Sequence, residues 1–448
     1  MALHLYNTAS RSKELFTPID SNKIGIYACG PTVYDRIHVG NARPLIVFDV
    51  LVRLLRSLYP HVIYVRNITD VDDKINARAS ERSISIDSLC SETITCYQAD
   101  AKALGVLEPD VEPRATHHID QMIDMIEQLI AKDHAYAAEG HVLFSVSSMT
   151  DYGALSGRSM DDMIAGARVE VAPYKKDPAD FVLWKPSGAG QPSWDSPWGQ
   201  GRPGWHIECS AMSAAYLGET FDIHAGGLDL IFPHHENELA QSRCAHDTHI
   251  MAKYWLHNGY VTVNGEKMSK SLGNFTTVEE ACSKHRGEAV RYALMASHYT
   301  APIDYSDKSV EDAKSALDRL YRAANDAAPT SIDGAFQAAL EDDINIPLAL
   351  SRLHGLAKDA NKGDEVARGS LRASAQLLGL LESSLDEWLK TASAQTSLSD
   401  ADIETKIQQR AEARAARDFA TADNVRDELA SLGIELLDGP DGTSWQRR

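Results

Sequence analysis

The segment that decides the fold runs from Ile24-Gly25-Ile26-Tyr27-Ala28 through Pro44-Leu45-Ile46-Val47-Phe48 to His61-Val62-Ile63-Tyr64-Val65. The first and last pieces are short apolar runs typical of buried strands, and the middle piece continues helically to Tyr59. A strand, a helix and a second strand within about forty residues predict a βαβ unit, and therefore a parallel sheet. Sheets of this kind favour nucleotide binding at one edge.

The αβ pattern is interrupted once and then gives way to helices. Short strands among Pro, Gly and Trp between Tyr136 and Gly204 predict an insertion between two halves of the sheet. A Ser-, Thr- and Ala-rich break at 391–397 predicts a linker before a small terminal unit. The sequence thus predicts an α/β protein whose parts are 1–135 and 205–300 (the two sheet halves), 136–204 (the insertion), 301–391 (a helical bundle) and 398–448 (a terminal module).

Composition indicates a soluble globular protein. Of 448 residues, 44% are hydrophobic and 24% charged, and no apolar run approaches the ~20 residues of a membrane span. The N-terminus lacks the features of a signal peptide, and six scattered cysteines form no disulfide framework. We therefore expect a cytoplasmic protein without a membrane partner. The net charge of −20 argues against general nucleic-acid binding, so an RNA partner would require a local basic surface.

A hairpin tip carries two lysines. The run Tyr260-Val261-Thr262-Val263 meets Asn264-Gly265, a pair that favours a tight type I′ turn, and Lys267-Met268-Ser269-Lys270-Ser271 follows. Two ammonium groups on a flexible tip suit a polyphosphate that is held while charge develops on it and is then released. For this pattern alone, a solvated basic loop is the alternative.

A second candidate site is the tetrad His38-Val39-Gly40-Asn41, which lies between the first strand and the following helix. Gly40 permits a ligand to approach the backbone, and the helix N-terminus supplies amide donors and a positive dipole end. His38 and Asn41 could both point at one bound anion. A turn that only caps the helix is the alternative.

Potential metal ligands come from three separated places. Cys29 follows the first strand, Cys209 lies in the segment 201–212, and His234 and Glu238 share one face of a helical turn because they are four residues apart. Two thiols, an imidazole and a carboxylate suit tetrahedral zinc. Since there is no CxxC pair, the spacing alone leaves buried structural side chains as the alternative.

Taken together, these motifs resemble the two signatures of class I aminoacyl-tRNA synthetases. Further segments narrow the resemblance to the cysteinyl-tRNA synthetase family, and they extend into the terminal module: 27–35, 67–70, 201–212, 232–238, 417–420 and 442–445. One departure stands out. The family's first signature often ends in a second histidine, whereas this chain has Asn41, which still offers an amide donor but cannot titrate.

The resemblance implies both a fold and a reaction. The fold would be a Rossmann-type catalytic domain split by an insertion, followed by an α-helical bundle and a C-terminal anticodon-binding module. The reaction would join L-cysteine and ATP into cysteinyl-adenylate and then transfer the cysteinyl group to the 3′-terminal adenosine of tRNA(Cys). One Zn²⁺ per chain, Mg²⁺ with ATP and a monomeric state are implied as well.

The resemblance also assigns residues to roles. The implied zinc ligands are Cys29, Cys209, His234 and Glu238. Catalysis and ATP binding are assigned to His38, Asn41, Lys267 and Lys270. The amino-acid pocket would be lined by Tyr27, Gly30, Thr69, Trp205 and Asp229, with Asp229 a candidate partner for the substrate ammonium and core packing the alternative for Trp205. For His206, His224 and His257 two roles stay open: outer contacts of the metal site, or contacts to the adenylate.

Zinc would explain how cysteine is selected. Size alone separates cysteine from serine or alanine weakly, since one methylene is worth ~1–3 kcal/mol. Direct binding to zinc separates cysteine from serine more strongly, because the hydroxyl of serine is a harder and far less acidic ligand than a thiol. The segment 136–204 looks too short for a typical editing domain, which agrees with selection at that level.

The tRNA contacts are expected in the terminal module, with Trp445 as a stacking surface for an anticodon base. The local basic patch would consist of Arg410, Arg414, Arg417, Arg447 and Arg448. An ordinary solvated helix face is the alternative for these arginines.

Two rival functions differ in what they need. An ATP-dependent ligase that joins cysteine to a small amine, as in mycothiol synthesis, would keep zinc and both signatures but needs no anticodon module. A non-catalytic tRNA-binding paralogue should have lost lysines or metal ligands, and this chain keeps all of them.

Overall fold

The computed structural model describes residues 2–158, 172–263, 265–268, 275–390, 398–439 and 442–447. The chain divides into two compact units. The first is formed by Met1–Val278, Leu294–Asp304 and Ala338–Pro347. The second is formed by Glu279–Ala293, Tyr305–Gln337 and Leu348–Arg448. The division into five parts predicted from the sequence stays a prediction.

Strands and helices are numbered in chain order. The strands are β1 His4–Asn7, β2 Ser12–Leu15, β3 Ile24–Ala28, β4 Val62–Arg66, β5 Ala135–Ala138, β6 His141–Phe144, β7 Phe181–Pro186, β8 Gly201–Pro203, β9 Phe221–Gly227, β10 Ala252–Asn258, β11 Val261–Val263, β12 Glu266–Lys267, β13 Ile303–Asp304, β14 Ile434–Gly439 and β15 Gly442–Arg447. The helices of the first unit are α1 Val39–Leu58, α2 Asp73–Arg82, α3 Ile86–Ala103, α4 Ile119–Ala131, α5 Trp205–Leu217 and α6 Glu236–His246.

The remaining helices follow the lysine hairpin. They are α7 Val278–Lys284, α8 Gly287–Leu294, α9 Asp307–Ala324, α10 Gly334–Glu341, α11 Ile346–Ala360, α12 Glu365–Leu377, α13 Leu385–Lys390, α14 Asp400–Ala415 and α15 Phe419–Ser431. Among the helices in the described ranges, none combines the length and apolarity that crossing a membrane requires.

A four-stranded parallel sheet of order β10-β9-β3-β4 forms the centre of the first unit. The predicted βαβ unit is β3-α1-β4, and every residue of β3 is buried. Helix α1 begins at Val39, ahead of the predicted Pro44, because His38 and Asn41 cap its first turn. The carboxyl ends of β3 and β9 therefore lie side by side at one edge, together with the start of α1.

Helices α4, α5 and α6 cover one region of this unit. Their buried side chains, among them Met122, Ile207 and Leu239, share a hydrophobic core with Tyr27 of β3 and Trp255 of β10. The strands predicted between Tyr136 and Gly204 are present, and they pair antiparallel in the order β5-β6-β7-β8.

In the second unit, α9 buries one apolar face that includes Val310, Leu317 and Leu320. The antiparallel hairpin β14–β15 packs with α14 and α15 around a small hydrophobic cluster. Its members are Ile403, Ile407, Val425, Leu429, Ile434 and Trp445.

Candidate functional site

The four predicted metal ligands meet at the carboxyl edge of the central sheet. Cys29 follows β3, Cys209 lies in α5, His234 lies in a π-type turn at Ile231–His235, and Glu238 lies in the first turn of α6. One donor atom from each lies within 4.8 Å of the others. The Cys29 and Cys209 sulfurs are 3.9 Å apart, and Glu238 Oε1 is 3.8 Å from Cys29 Sγ and 2.9 Å from His234 Nε2.

The donor set fits zinc. A tetrahedral zinc ion with Zn–S distances of ~2.3 Å places two sulfurs ~3.8 Å apart, close to the observed 3.9 Å. A second, overlapping set consists of Cys29, His224, His235 and Glu238. The first set holds two thiols and the second only one, so the first is the better match to a metal that favours sulfur donors.

The four candidate ligands shift one another's ionisation. A hydrogen bond from Cys29 lowers the pKa of Cys209 to about 6, whereas burial raises the pKa of Cys29 well above its usual range. Burial alone would lower the pKa of His234, but Glu238 and Cys209 raise it to about 10. His234 and His224 outweigh burial and hold the pKa of Glu238 well below its usual range. These shifts favour the thiolate of Cys209 and the carboxylate of Glu238, the forms in which both side chains bind a metal.

Histidines surround the ligands. His206 Nδ1 lies 2.8 Å from His234 Nδ1, and His224 Nε2 lies 3.0 Å from Glu238 Oε2. His257 contacts no ligand directly: it lies 2.8 Å from His235, and its other ring nitrogen lies 2.7 Å from Thr8 Oγ1. Such contacts fix the orientation of a ligand ring.

Sequence reasoning did not single out His235. The adjacent pair His234-His235 was the sequence signal that could have indicated it. In the structure, each of the two residues contributes a ring nitrogen to one of the donor sets.

A cavity of about 350 Å³ opens beside the cluster. Of the residues predicted to bind the amino acid, Gly30, Trp205 and Asp229 line it, together with Cys29. Trp205 is 38% exposed and stacks on His234 with 4.1 Å between ring centroids, which disagrees with plain core packing.

Tyr27 and Thr69 lie behind this wall. The Tyr27 ring is fully buried and stacks on His224, and the Thr69 hydroxyl accepts a hydrogen bond from Asn67 Nδ2 at 3.3 Å. Asn67 Oδ1 also accepts from the Gly30 amide at 2.8 Å. A Cβ at Gly30 would lie 1.7 Å from the Asn67 carbonyl oxygen, so only glycine permits this turn after Cys29.

The tetrad 38–41 forms both a cap and a wall of the cavity. His38 Nδ1 accepts from the Asn41 amide at 3.2 Å, and Asn41 Oδ1 accepts from the His38 amide at 3.4 Å, which is a reciprocal capping box. His38, Gly40 and Asn41 line the same cavity as Trp205 and Asp229. The capping and ligand-binding interpretations are therefore compatible.

The predicted lysine hairpin is present as far as the structure describes it. Strand β11 pairs with β12 through Thr262 and Lys267, and Gly265 has a φ of +78°. Met268 lines the cavity. Asn264, Lys270 and the side chain of Lys267 lie outside the described part of the chain, so the roles predicted for these lysines stay predictions.

Comparisons with known proteins agree with this site. A family model described as tRNA synthetases class I (C) catalytic domain matches residues 15–315, and one described as DALR domain matches 335–387. The cysteine–tRNA ligases of Rhodospirillum rubrum and Paramagnetospirillum magneticum are 57% and 58% identical to this chain, and the match covers 100% of both partners in each case.

The chain belongs to the cysteine–tRNA ligase family.

The predicted resemblance, the α/β fold class and the assignment to the class I synthetase enzymes are thereby confirmed. Methionyl-tRNA synthetase of Mycobacterium tuberculosis in complex with methionyl-adenylate matches with a TM-score of 0.56 at 15% identity, over 80% of this chain and 89% of that chain. A LeuRS–tRNA–LeuAMS complex from Agrobacterium radiobacter matches with a TM-score of 0.58 at 12% identity, over 81% and 84%. These two likenesses concern the fold alone.

In this cysteine–tRNA ligase family member, three residues predicted to contact tRNA serve internal structure instead. Arg410 is 8% exposed and binds both carboxylate oxygens of Asp438 at 2.8 Å. Trp445 is 3% exposed, and its Nε1 donates to Glu404 at 2.7 Å. Its rings are covered by the cluster of α14 and α15, which disagrees with the predicted stacking role.

Arg447 completes this correction. It is 4% exposed and donates to the carbonyls of Lys390 and Leu398 and to Asp400. Arg414 and Arg417 are exposed, as predicted for a contact surface, and Arg448 lies outside the described residues.

Phe419 lies in the segment 417–420 that carries part of the resemblance, but sequence reasoning gave it no role. It is 63% exposed at the start of α15, next to the Asp418 cap and close in sequence to both exposed arginines. The signal was the run Arg417-Asp418-Phe419. An Asp that caps a helix places the next residue in the first helical turn, where it need not be buried.

Proposed function

We propose that this protein activates L-cysteine with ATP and transfers the cysteinyl group to the 3′-terminal adenosine of tRNA(Cys). The observation that carries the proposal is the convergence of Cys29, Cys209, His234 and Glu238 beside a cavity that the turn 38–41 also lines. A sulfur-rich donor set and an anion-binding helix N-terminus in one cavity suit a thiol-bearing amino acid that reacts with a nucleotide.

We assign one zinc ion to Cys29, Cys209, His234 and Glu238. When bound, zinc would offer the substrate thiolate a direct bond that the hydroxyl of serine matches poorly. His206 and His224 orient His234 and Glu238 through the contacts described above, and Tyr27 supports His224 by stacking.

Gly30, Trp205 and Asp229 hold the rest of the amino acid. Asp229 lies on the cavity wall after β9, where its carboxylate can pair with the substrate ammonium. Trp205 forms an apolar wall of the same cavity and stacks on His234. Thr69 acts indirectly, through Asn67 and the Gly30 turn.

Activation forms a bond between a cysteine carboxylate oxygen and the α-phosphorus of ATP, and it breaks the bond from that phosphorus to the pyrophosphate oxygen. Negative charge grows on the departing pyrophosphate, so fixed donors and cations placed there speed the step. The α1 N-terminus, His38 and the side-chain amide of Asn41 supply donors, and Lys267 and Lys270 supply cations. Magnesium accompanies ATP.

We place tRNA contacts in the second unit. Its 335–387 segment matches the DALR domain model, and Arg414, Arg417 and Phe419 are exposed. Phe419 replaces the buried Trp445 as the candidate for stacking on a base. Such a local surface is needed because the whole chain carries a net charge of −20. A cytoplasmic, monomeric enzyme is part of this proposal.

Isotope exchange between pyrophosphate and ATP tests the first step, and charging of tRNA against a small amine tests the second. We expect exchange that depends on cysteine, followed by charging of tRNA(Cys). Exchange with transfer only to the amine would instead indicate a small-amine ligase. No exchange at all, with tRNA still bound, would indicate a non-catalytic binding protein.

A further inference from the structure

Arg43 is a buried cation next to the ATP-binding turn, and no role has been assigned to it above. It lies on α1 two residues after Asn41 and is 0% exposed. Among the described residues, its hydrogen bonds go only to uncharged acceptors. Burial lowers the pKa of Arg43 to about 10, so the guanidinium stays charged at neutral pH. A buried charge without a carboxylate partner costs stability, and this cost calls for an explanation.

The guanidinium joins two segments to α1. One terminal nitrogen donates to the carbonyls of Gly259 and Tyr260 at 2.9 and 3.0 Å. The other donates to Ser297 Oγ at 2.9 Å and to the His298 carbonyl at 3.1 Å. Two acceptors on each terminal nitrogen suit the rigid fork of arginine, which lysine cannot reproduce.

The segment held by Arg43 is a wall of the cavity. Gly259, Tyr260 and Val261 line it together with residues of the turn 38–41, and they lead directly into β11 and β12. Gly259 is fixed from its other side, since a Cβ there would lie 2.5 Å from the Ala301 oxygen, and its amide donates to the Tyr299 carbonyl at 2.8 Å.

The segment 276–278 also contacts the N-terminus of α1. The Val39 amide donates to the Thr276 carbonyl at 3.0 Å, and the Val278 amide donates to the Ile37 carbonyl at 3.1 Å. His38 and Thr277 form a β-bridge between them. The chain before and after 269–274 is therefore tied to the first turns of α1, by Arg43 on one side and by backbone bonds on the other.

We propose that Arg43 is a positioning residue for the activation step, which sets the separation between the turn 38–41 and the strand pair β11–β12 that reaches Lys267. The inference rests on the proposed function, because these are the elements assigned to ATP. Arg43 itself does not line the cavity, so it acts through the wall 259–261. Loss of Arg43 should slow the step in which pyrophosphate leaves the α-phosphorus. It should leave cysteine binding around Cys29 and His234 unchanged.

The test compares Arg43→Lys with Arg291→Lys, a matched change of a second fully buried arginine that donates to the Leu378 carbonyl in the other unit. For Arg43→Lys we expect kcat of ATP–pyrophosphate exchange to fall by up to about 100-fold, as for a misplacement near 1 Å. KM for cysteine and zinc content should stay at the wild-type level, and transfer from preformed cysteinyl-adenylate should be retained. Arg291→Lys should leave exchange unchanged below its melting temperature.

Hydrogen–deuterium exchange supplies a readout besides activity. The amides of 259–263 should exchange several-fold faster in Arg43→Lys than in wild type, while those of β3 stay unchanged. A kcat within twofold of wild type, or loss of zinc and cysteine binding in step with kcat, would overturn the proposal. Lysine keeps the charge, so full activity of Arg43→Lys would also show that charge alone suffices.

If Arg43→Lys does not fold, Ser297→Ala decides, because it removes one acceptor and leaves the guanidinium in place. We expect a several-fold lower kcat with unchanged KM for cysteine, and no change in either would overturn the proposal. If wild type shows no cysteine-dependent exchange, the proposed function has failed, and the amide exchange at 259–263 still tests the geometric link.

Discussion

The metal cluster and the terminal module were both predicted from polar residues, yet the structure uses those residues in opposite ways. At the sheet edge, donors from three distant parts of the chain converge within 4.8 Å and face a cavity. In the terminal module, Arg410, Trp445 and Arg447 turn inward and hold the hairpin β14–β15 to its surroundings. A set of unlike donors that converges indicates a ligand, whereas like charges along a helix do not.

The two regions show when buried polar side chains indicate an external ligand. Cys29, Cys209, His234 and Glu238 bring four potential metal donors, from three parts of the chain, within 4.8 Å of one another. Arg410 is buried against Asp438, which already neutralises it. The convergence of metal donors in the first cluster therefore suits a ligand from outside, whereas Arg410 and Asp438 satisfy each other.

Loss of a metal ligand should have the largest effect. Cys209→Ser should bind zinc poorly and lower cysteine-dependent exchange by at least about 100-fold, since outer contacts of a metal site alone cost 10–100-fold. Metal analysis and exchange kinetics check this. Cys244→Ser is the matched control, because Cys244 is also a buried free thiol but lies outside the cluster. Equal zinc content in wild type and Cys209→Ser would contradict the assignment.

Removal of the buried tryptophan should come next. Trp445→Ala should destabilise the second unit by ~3–5 kcal/mol, as large-to-small changes in cores do. Phe419→Ala, at a side chain that is 63% exposed, should cost far less. Denaturant unfolding of the two variants measures the difference. Similar losses of stability would mean that the contrast between buried and exposed aromatic residues is wrong.

A smaller effect is expected on tRNA affinity. Phe419→Ala should weaken binding of tRNA(Cys) by ~1–3 kcal/mol, the range for stacking of one base on an aromatic ring. Exchange without tRNA should be unaffected. Filter binding at fixed salt provides the measurement, with Ile19→Ala as a control because Ile19 is also exposed but lies in the first unit. Unchanged affinity would remove Phe419 from the proposed surface.

The smallest effect concerns pH. The Arg410 hydrogen bonds lower the pKa of Asp438 below its ordinary value of 3.8. A lowered carboxyl pKa gives stability that is present above 3.8 and is lost as the pH falls below that value. Asp438→Asn should therefore be less stable than wild type at neutral pH, and the gap should narrow in acid. Thermal unfolding across that range measures it, and a constant gap would contradict the ion pair.

The sequence predicted the βαβ unit, the position of the hairpin and all four metal candidates, because short apolar runs and separated motifs carry these features. It could not predict that Trp445 is buried, since that depends on the pairing of Leu436 with Trp445 and on a hydrogen bond to Glu404, which lies 41 residues earlier in the chain. The link from His235 through His257 to Thr8 was also out of reach, because it joins three elements that only the folded chain brings together. Arg43 was missed for the same reason.

A direct test of metal binding by this cluster uses protein in which Co²⁺ replaces zinc, since thiolate ligands give this metal a near-ultraviolet charge-transfer absorption. The cluster should show this absorption from Cys29 and Cys209, and saturating cysteine should increase it as a third thiolate binds, whereas serine should not. Loss of the band in Cys209→Ser would support the assignment further. A spectrum that does not respond to cysteine, in protein that still charges tRNA with it, would contradict the account.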